Sequence, residues 1–189
     1  MPVFPSKLSS SCVKCLPLFM RGTVVKGFGR GSKQLGIPTG KLHSHSLTSW
    51  CEEERLRSNF SHDLVSKLPE DLDCGVYYGW AAINDGPVNK MVMSVGWNPY
   101  YKNERKSVET HIMAQFPEDF YGAMLRIVVL GYLRPEKNFN SVEELVAAIH
   151  ADIRDSDQNL DREEMLRYKT NEFFTTKQFD EADAVTRAV

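Results

Sequence analysis

Short apolar runs rich in aromatic and β-branched residues recur along the chain between turn residues, a pattern that predicts strands. The runs are RGTVVK at 21–26, GVYYGWAAI at 75–83, KMVMSVGW at 90–97, SVETHIM at 107–113 and LRIVVLGYL at 125–133. Asn84-Asp85-Gly86-Pro87 reads as the connection of a hairpin. Sequential strands joined by short turns imply antiparallel pairing, because parallel pairs need long crossovers. GVYYGWAAI carries large apolar groups on both of its faces. A one-sided sheet alternates more cleanly, so the pattern predicts a small closed barrel with helices packed outside.

Helical spacing is clearest after Ser141. Ser141-Val142-Glu143-Glu144 reads as a capping box, with Glu144 reaching back to the cap amide. Val142, Leu145, Val146, Ile149 and Ile153 then form an apolar stripe, with the acids and His150 expected on the other faces. A second helical stretch is predicted over 160–168. Residues 43–73 are polar and weakly periodic, and read as an insert that is partly helical near 49–56. Residues 1–18 read as a flexible leader, and 19–189 as one domain carrying that insert.

Composition narrows the classes. A chain of 189 residues with 42% hydrophobic and 25% charged positions is long enough for one domain with a sizeable core. The net charge of −2 speaks against a general nucleic-acid binder. No apolar run approaches the roughly 20 residues that span a bilayer, so no membrane partner is expected. Cys12, Cys15, Cys51 and Cys74 include one C-x-x-C near the N-terminus, with no second pair for zinc, and all four are expected as thiols. The leader is basic and serine-bearing without acids, faintly like a transit sequence; a cytoplasmic location is the expectation, organellar targeting the other reading. His43-Ser44-His45 with Cys51 or His62 matches no zinc spacing.

The stretch KGFGRGSKQLGIPTGKL at 26–42 is glycine-rich and basic, yet it fits neither the Walker A nor the dinucleotide-binding glycine pattern. It reads either as a bent hairpin or as a phosphate cradle, in which exposed amides and Lys33 face phosphate and Thr39 faces Mg²⁺. Glu109 alternates with Val108 and Thr110 in a strand, so it points to solvent or lines a site, and His111 shares its face. Arg134, Lys137 and Phe139 bracket Pro135 in RPEKNF, either a solvated turn or a holder for a planar polar ligand.

RGTVVKGFGRGSKQLGIPT at 21–39, GVYYGWA at 75–81, VGWNPYYKN at 95–103, SVETHI at 107–112, FPEDFYG at 116–122 and GYLRPEKNF at 131–139 together resemble the riboflavin kinases, or flavokinases, of the single-function eukaryotic type. The resemblance implies a mainly β fold, a six-stranded antiparallel Greek-key barrel with a C-terminal helix packed outside. It implies phosphorylation of riboflavin by ATP to FMN and ADP, with Mg²⁺ or another divalent metal, the product stopping at FMN. Glu109 matches the family's catalytic base, and Thr39 its metal- and phosphate-binding hydroxyl. Gly27, Lys33, Ile112 and Phe116 match positions beside the nucleotide. Arg134, Lys137 and Phe139 match the flavin-contacting segment. A monomer is expected.

One position departs from that pattern. The family reads P-T-A-N where this chain has Pro38-Thr39-Gly40-Lys41, and lysine supplies no oxygen to a metal. An active kinase with an altered metal site is the favoured reading. The rival is a catalytically weakened flavin- or nucleotide-binding module. A barrel that binds single-stranded nucleic acid through its aromatics is a third, opposed by the negative charge.

Overall fold

The computed structural model describes residues 15–25, 57–60, 62–97, 106–114, 116, 120–176 and 184–187. Its strands are β1 (Leu18–Val25), β2 (Arg57–Phe60), β3 (Gly75–Ile83), β4 (Asn89–Trp97), β5 (Lys106–Ile112), β6 (Met124–Arg134) and β7 (Ala184–Arg187). They pair antiparallel in the order β2-β5-β4-β3-β6-β1-β7, and β2 also pairs with β1. That extra pairing, at Val24 with Phe60 and Val25 with Asn59, closes the curled sheet into a six-stranded ring. β3, β4 and β5 are consecutive neighbours and β6 returns beside β3, the spatial order of a Greek key. The expected barrel class is borne out.

Alternation along each strand fills the ring. Leu18, Met20 and Val24 of β1, Met91, Met93 and Val95 of β4, and Leu125, Ile127 and Val129 of β6 all point inward and are buried. Their intervening neighbours point outward. On β3 this second set, Tyr78, Trp80 and Ala82, is buried as well. Phe19, Val128, Leu130, Leu160 and Phe174 cover it. The two-sided apolar character of GVYYGWAAI thus has a simple cause: one face lines the barrel and the other lies under the C-terminal elements.

Those elements are the helix α2 (Val142–Leu160), the short helix α3 (Glu163–Leu166) and a 3₁₀ turn at Glu172–Phe174. The Trp80 indole Nε1–H donates to the Met165 carbonyl at 2.9 Å, satisfying the one polar atom of a ring that is otherwise dry. Lys90 on β4 donates to Asp157 and Asp161 side chains, each at 2.6 Å, and so ties the end of α2 to the sheet. At the start of α2, Ser141 accepts from the Glu144 amide at 3.2 Å, as expected of the cap. The Glu144 carboxylate accepts instead from the Asn140 amide, at 3.0 Å, one residue earlier than a capping box predicts. The second helical stretch is shorter than expected, only Glu163–Leu166.

The stretch 43–73, read from sequence as a polar insert, contributes β2 and the short helix α1 (His62–Ser66). Phe60, Leu64 and Leu72 from it enter the barrel core. The helical expectation at 49–56 lies outside the described residues. β1 begins at Leu18, three residues before the predicted run, where Leu18 and Met20 carry core side chains. β7 was not legible at all: Ala184 and Val185 are half-buried, Thr186 and Arg187 are exposed, and the four pair along β1. Among the described residues, Cys15 and Cys74 are thiols outside any disulfide, and no helix is long and apolar enough to cross a membrane.

Gly79 marks the tightest crossing. The β3–β6 register shifts between Tyr78 and Gly79, and a Cβ there would overlap the Val128 carbonyl oxygen and come within 2.8 Å of the Met91 methyl. Because the obstacle is backbone, Gly79→Ala is expected to cost about 3 kcal/mol or more, at the upper end for overpacking. A denaturant midpoint within a few tenths of the parent's would contradict this packing.

Candidate active site

β4 and β5 turn Val92, Ser94, Glu109 and His111 outward, because their inward neighbours Met91, Met93, Val95, Val108 and Ile112 are taken by the core. Val76, at the start of β3, joins them across the Ser94 pair. Over this face runs α2, whose stripe residues Leu145, Ile149 and Ile153 are only half-buried. Between stripe and sheet is a cleft of about 240 Å³, somewhat below the roughly 300–1,000 Å³ of small-molecule sites. Arg134, Glu136, Lys137 and Phe139, from the end of β6 and the loop that follows, form its side wall.

The cleft is thus apolar on the α2 side, mixed on the sheet side, where Val76 and Val92 stand beside Ser94, Glu109 and His111, and charged along the loop. Glu109 is exposed and lies between Ser94 of β4 and Asn59 of β2 in register. Arg134 is held by Asp152 of α2, its Nε donating to Oδ1 at 2.7 Å and its Nη2 to Oδ2 at 2.6 Å. The guanidinium carbon stands 5.9 Å from the Phe139 ring centre, and Lys137 Nζ stands 5.4 Å from it. Glu136 folds back over β4, its carboxylate filling the place where a Gly96 side chain would stand. Although the residue as a whole is exposed, the partial desolvation of its carboxyl there raises the Glu136 pKa from its ordinary value.

Four residues singled out from sequence, Glu109, Arg134, Lys137 and Phe139, meet in this one cleft. Ile112 and Phe116 do not. Ile112 is fully buried inside the barrel, and Phe116 packs against that core and the Phe120 ring, 4.9 Å away between centres. Gly27, Lys33, Thr39 and Lys41 lie outside the described residues. Sequence reasoning missed Val76, Val92, Ser94 and Asp152, and identified the apolar stripe of α2 without saying what it faces. The signal for Asp152 was present: it follows Ile149 by one helical turn, so it interrupts the apolar face, contrary to the expectation that the acids face elsewhere.

A model of the riboflavin kinase (flavokinase) family matches residues 15–160. The chain belongs to the riboflavin kinase family. Riboflavin kinase of Mus musculus is 51% identical over 162 residues, covering 86% of this chain and 93% of that protein. Riboflavin kinase of Homo sapiens is 52% identical over 159 residues, covering 84% and 91% respectively. Among solved structures, riboflavin kinase from Trypanosoma brucei superposes with a TM-score of 0.66 at 23% identity, over 91% of this chain and 94% of its own, a likeness of fold. The family resemblance read from the sequence is borne out, and the family match takes in the 43–73 stretch.

The Glu136 contact has a pH signature. Its carboxyl is raised from 4.5, so the folded state favours the protonated form. The stability this adds is full below the unfolded value and is lost as pH rises through the folded one. Glu136→Gln keeps the neutral form at every pH. Its melting temperature relative to the parent is therefore expected to rise between about pH 4 and pH 7, the range around the ordinary glutamate value. A difference that stays flat across that range, followed by thermal unfolding, would contradict the desolvation of this carboxyl.

Proposed function

We propose that this riboflavin kinase family member transfers the γ-phosphoryl group of ATP to the ribityl 5′-hydroxyl of riboflavin, giving FMN and ADP, with Glu109 as the general base. Family membership supports the reaction. The observation that supports the residue assignment is that Glu109 opens onto the same cleft as the α2 stripe and the RPEKNF loop.

A flat, largely apolar ring system suits a slot with Val76 and Val92 on one side and Leu145, Ile149 and Ile153 on the other. Phe139 stacks against its edge, and Lys137 offers hydrogen bonds to ring carbonyls. With the ring so placed, the ribityl chain runs along Ser94 toward Glu109. The Glu109 carboxylate accepts the proton of the 5′-hydroxyl as its oxygen attacks the γ-phosphorus, and the bond to the β-phosphate oxygen breaks to release ADP. Such transfers need in-line placement and charge neutralisation more than covalent help. The family resemblance assigns Gly27 and Lys33 to the phosphates and Ile112 and Phe116 to the surroundings of the nucleotide, where Ile112, being fully buried, acts only through the residues packed on it.

Mg²⁺ or another divalent ion, when bound with ATP, spreads the charge of the phosphates. Among the described residues no three His, Cys, Asp or Glu side chains gather around a metal position. The sequence offers Thr39 with Lys41 in place of the family's Asn, a donor set that suits an ion held mostly by phosphate oxygens and water. Lys41 also keeps the rival reading alive, a flavin- or nucleotide-binding module with weakened catalysis.

Incubation with riboflavin, ATP and Mg²⁺, followed by chromatography for FMN, separates the two. Glu109→Gln is expected to retain riboflavin binding and lose roughly 10²–10⁴ in turnover, the usual contribution of a positioned base. Near-parental turnover in that variant would remove Glu109 from the role. Flavin binding without FMN from the parent protein would favour the weakened module.

A further inference from the structure

Asp152 is a carboxylate only 6% exposed, on the face of α2 that also carries Ile149 and Ile153. A charge in that position is costly unless it is paired and hydrogen-bonded. Its partner is Arg134, the last residue of β6, in a two-point contact at 2.7 and 2.6 Å. A third guanidinium donor, Nη1–H, goes to the Pro135 carbonyl at 3.1 Å. The fork with which arginine grips a carboxylate or phosphate is therefore already occupied from within the chain. What Arg134 still presents is its flat face, toward Phe139.

The loop from Pro135 to Asn140 is thus fixed at both ends by the same helix. Arg134 holds its start through Asp152, and the Asn140 amide holds its end through Glu144. Phe139 hangs between the two. A loop without regular hydrogen bonding has few other means of keeping one ring in one place.

We infer that Asp152 is a positioning residue of the flavin site: by gripping Arg134 it sets the loop and the Phe139 ring as one wall of the cleft. Arg134 then serves the site as a strut, not as a clamp for an anionic group. This inference rests on the reading of the cleft as the place where riboflavin binds. It assigns Asp152 no contact with substrate.

The experiment measures riboflavin binding to the full chain by quenching of flavin fluorescence, alongside KM for riboflavin, KM for ATP and thermal stability. It compares Asp152→Asn, Arg134→Met and the double variant. Asp152→Asn is expected to weaken riboflavin roughly tenfold, about 1.4 kcal/mol, with KM for ATP moving by less than about twofold. In the Arg134→Met background the same change is expected to cost nothing further, because the strut is already gone. Equal losses in both backgrounds, or parallel losses for ATP and riboflavin, would overturn the inference and leave Asp152 a role in the fold alone. If Asp152→Asn does not fold, Asp152→Glu keeps the charge and moves the guanidinium by one methylene. Its riboflavin affinity is then expected to fall with ATP unaffected, and an unchanged affinity overturns the inference. Failure of riboflavin to bind the parent protein contradicts the placement of the flavin itself, and is seen before any variant is compared.

Discussion

A strand with bulky apolar side chains on both faces has to be covered twice, and β3 imposes that demand on the rest of this fold. Its inward residues, Tyr77 and Ala81, are covered when the sheet curls on itself and β2 meets β1. Its outward residues, Tyr78, Trp80 and Ala82, need an external layer, and the chain supplies it after β6. Fully burying side chains of this size is worth about 1.5–3 kcal/mol each, so leaving either face wet would consume much of the stability of a domain this small. The C-terminal helix is held where it is by that requirement.

The cleft follows from how the layer is laid down. At the Trp80 end of β3 the cover is tight: Leu160, Phe174 and Met165 close over the indole, and Lys90 binds the end of α2 to β4. At the Val76 end the same helix stands off, and its stripe is left half-buried above a face that carries Ser94, Glu109 and His111. One helix therefore seals the sheet at one end and leaves a slot at the other. Asp152 and Ser156 lie on the helix between these regions, both buried. The polar pair Arg134–Asp152 marks the transition from packed core to cleft, and its partly buried geometry makes it sensitive to loss of either partner.

Most of the sheet was legible because its signal is local. Alternation and β-branched content identify β3 to β6 within a residue or two, and the doubled apolar faces of GVYYGWAAI imply closure. β2 and β7 escaped because their residues gain their meaning only from pairing with β1 across long loops, which no local pattern records. The site divides similarly. Glu109, Arg134, Lys137 and Phe139 stand in short quotable stretches, and their meeting in one cleft is a tertiary fact consistent with those stretches. The stripe on α2 was visible, but periodicity reports an apolar face without saying whether a core or a ligand covers it. Asp152 was legible as a break in that stripe, but its pairing was not: Arg134 is 18 residues away, and only the folded chain brings them together.

The central claim is that the slot between α2 and the outer face of β3–β5 receives the flavin ring and delivers the ribityl hydroxyl to Glu109. A crystal structure with FMN and ADP bound tests it most directly. The ring is expected between Val76 and Val92 on one side and Leu145, Ile149 and Ile153 on the other, with the ribityl 5′-oxygen within hydrogen-bond range, about 2.6–3.2 Å, of the Glu109 carboxylate. A flavin seated elsewhere on the barrel, or in this slot with its ribityl chain directed away from Glu109, would contradict it.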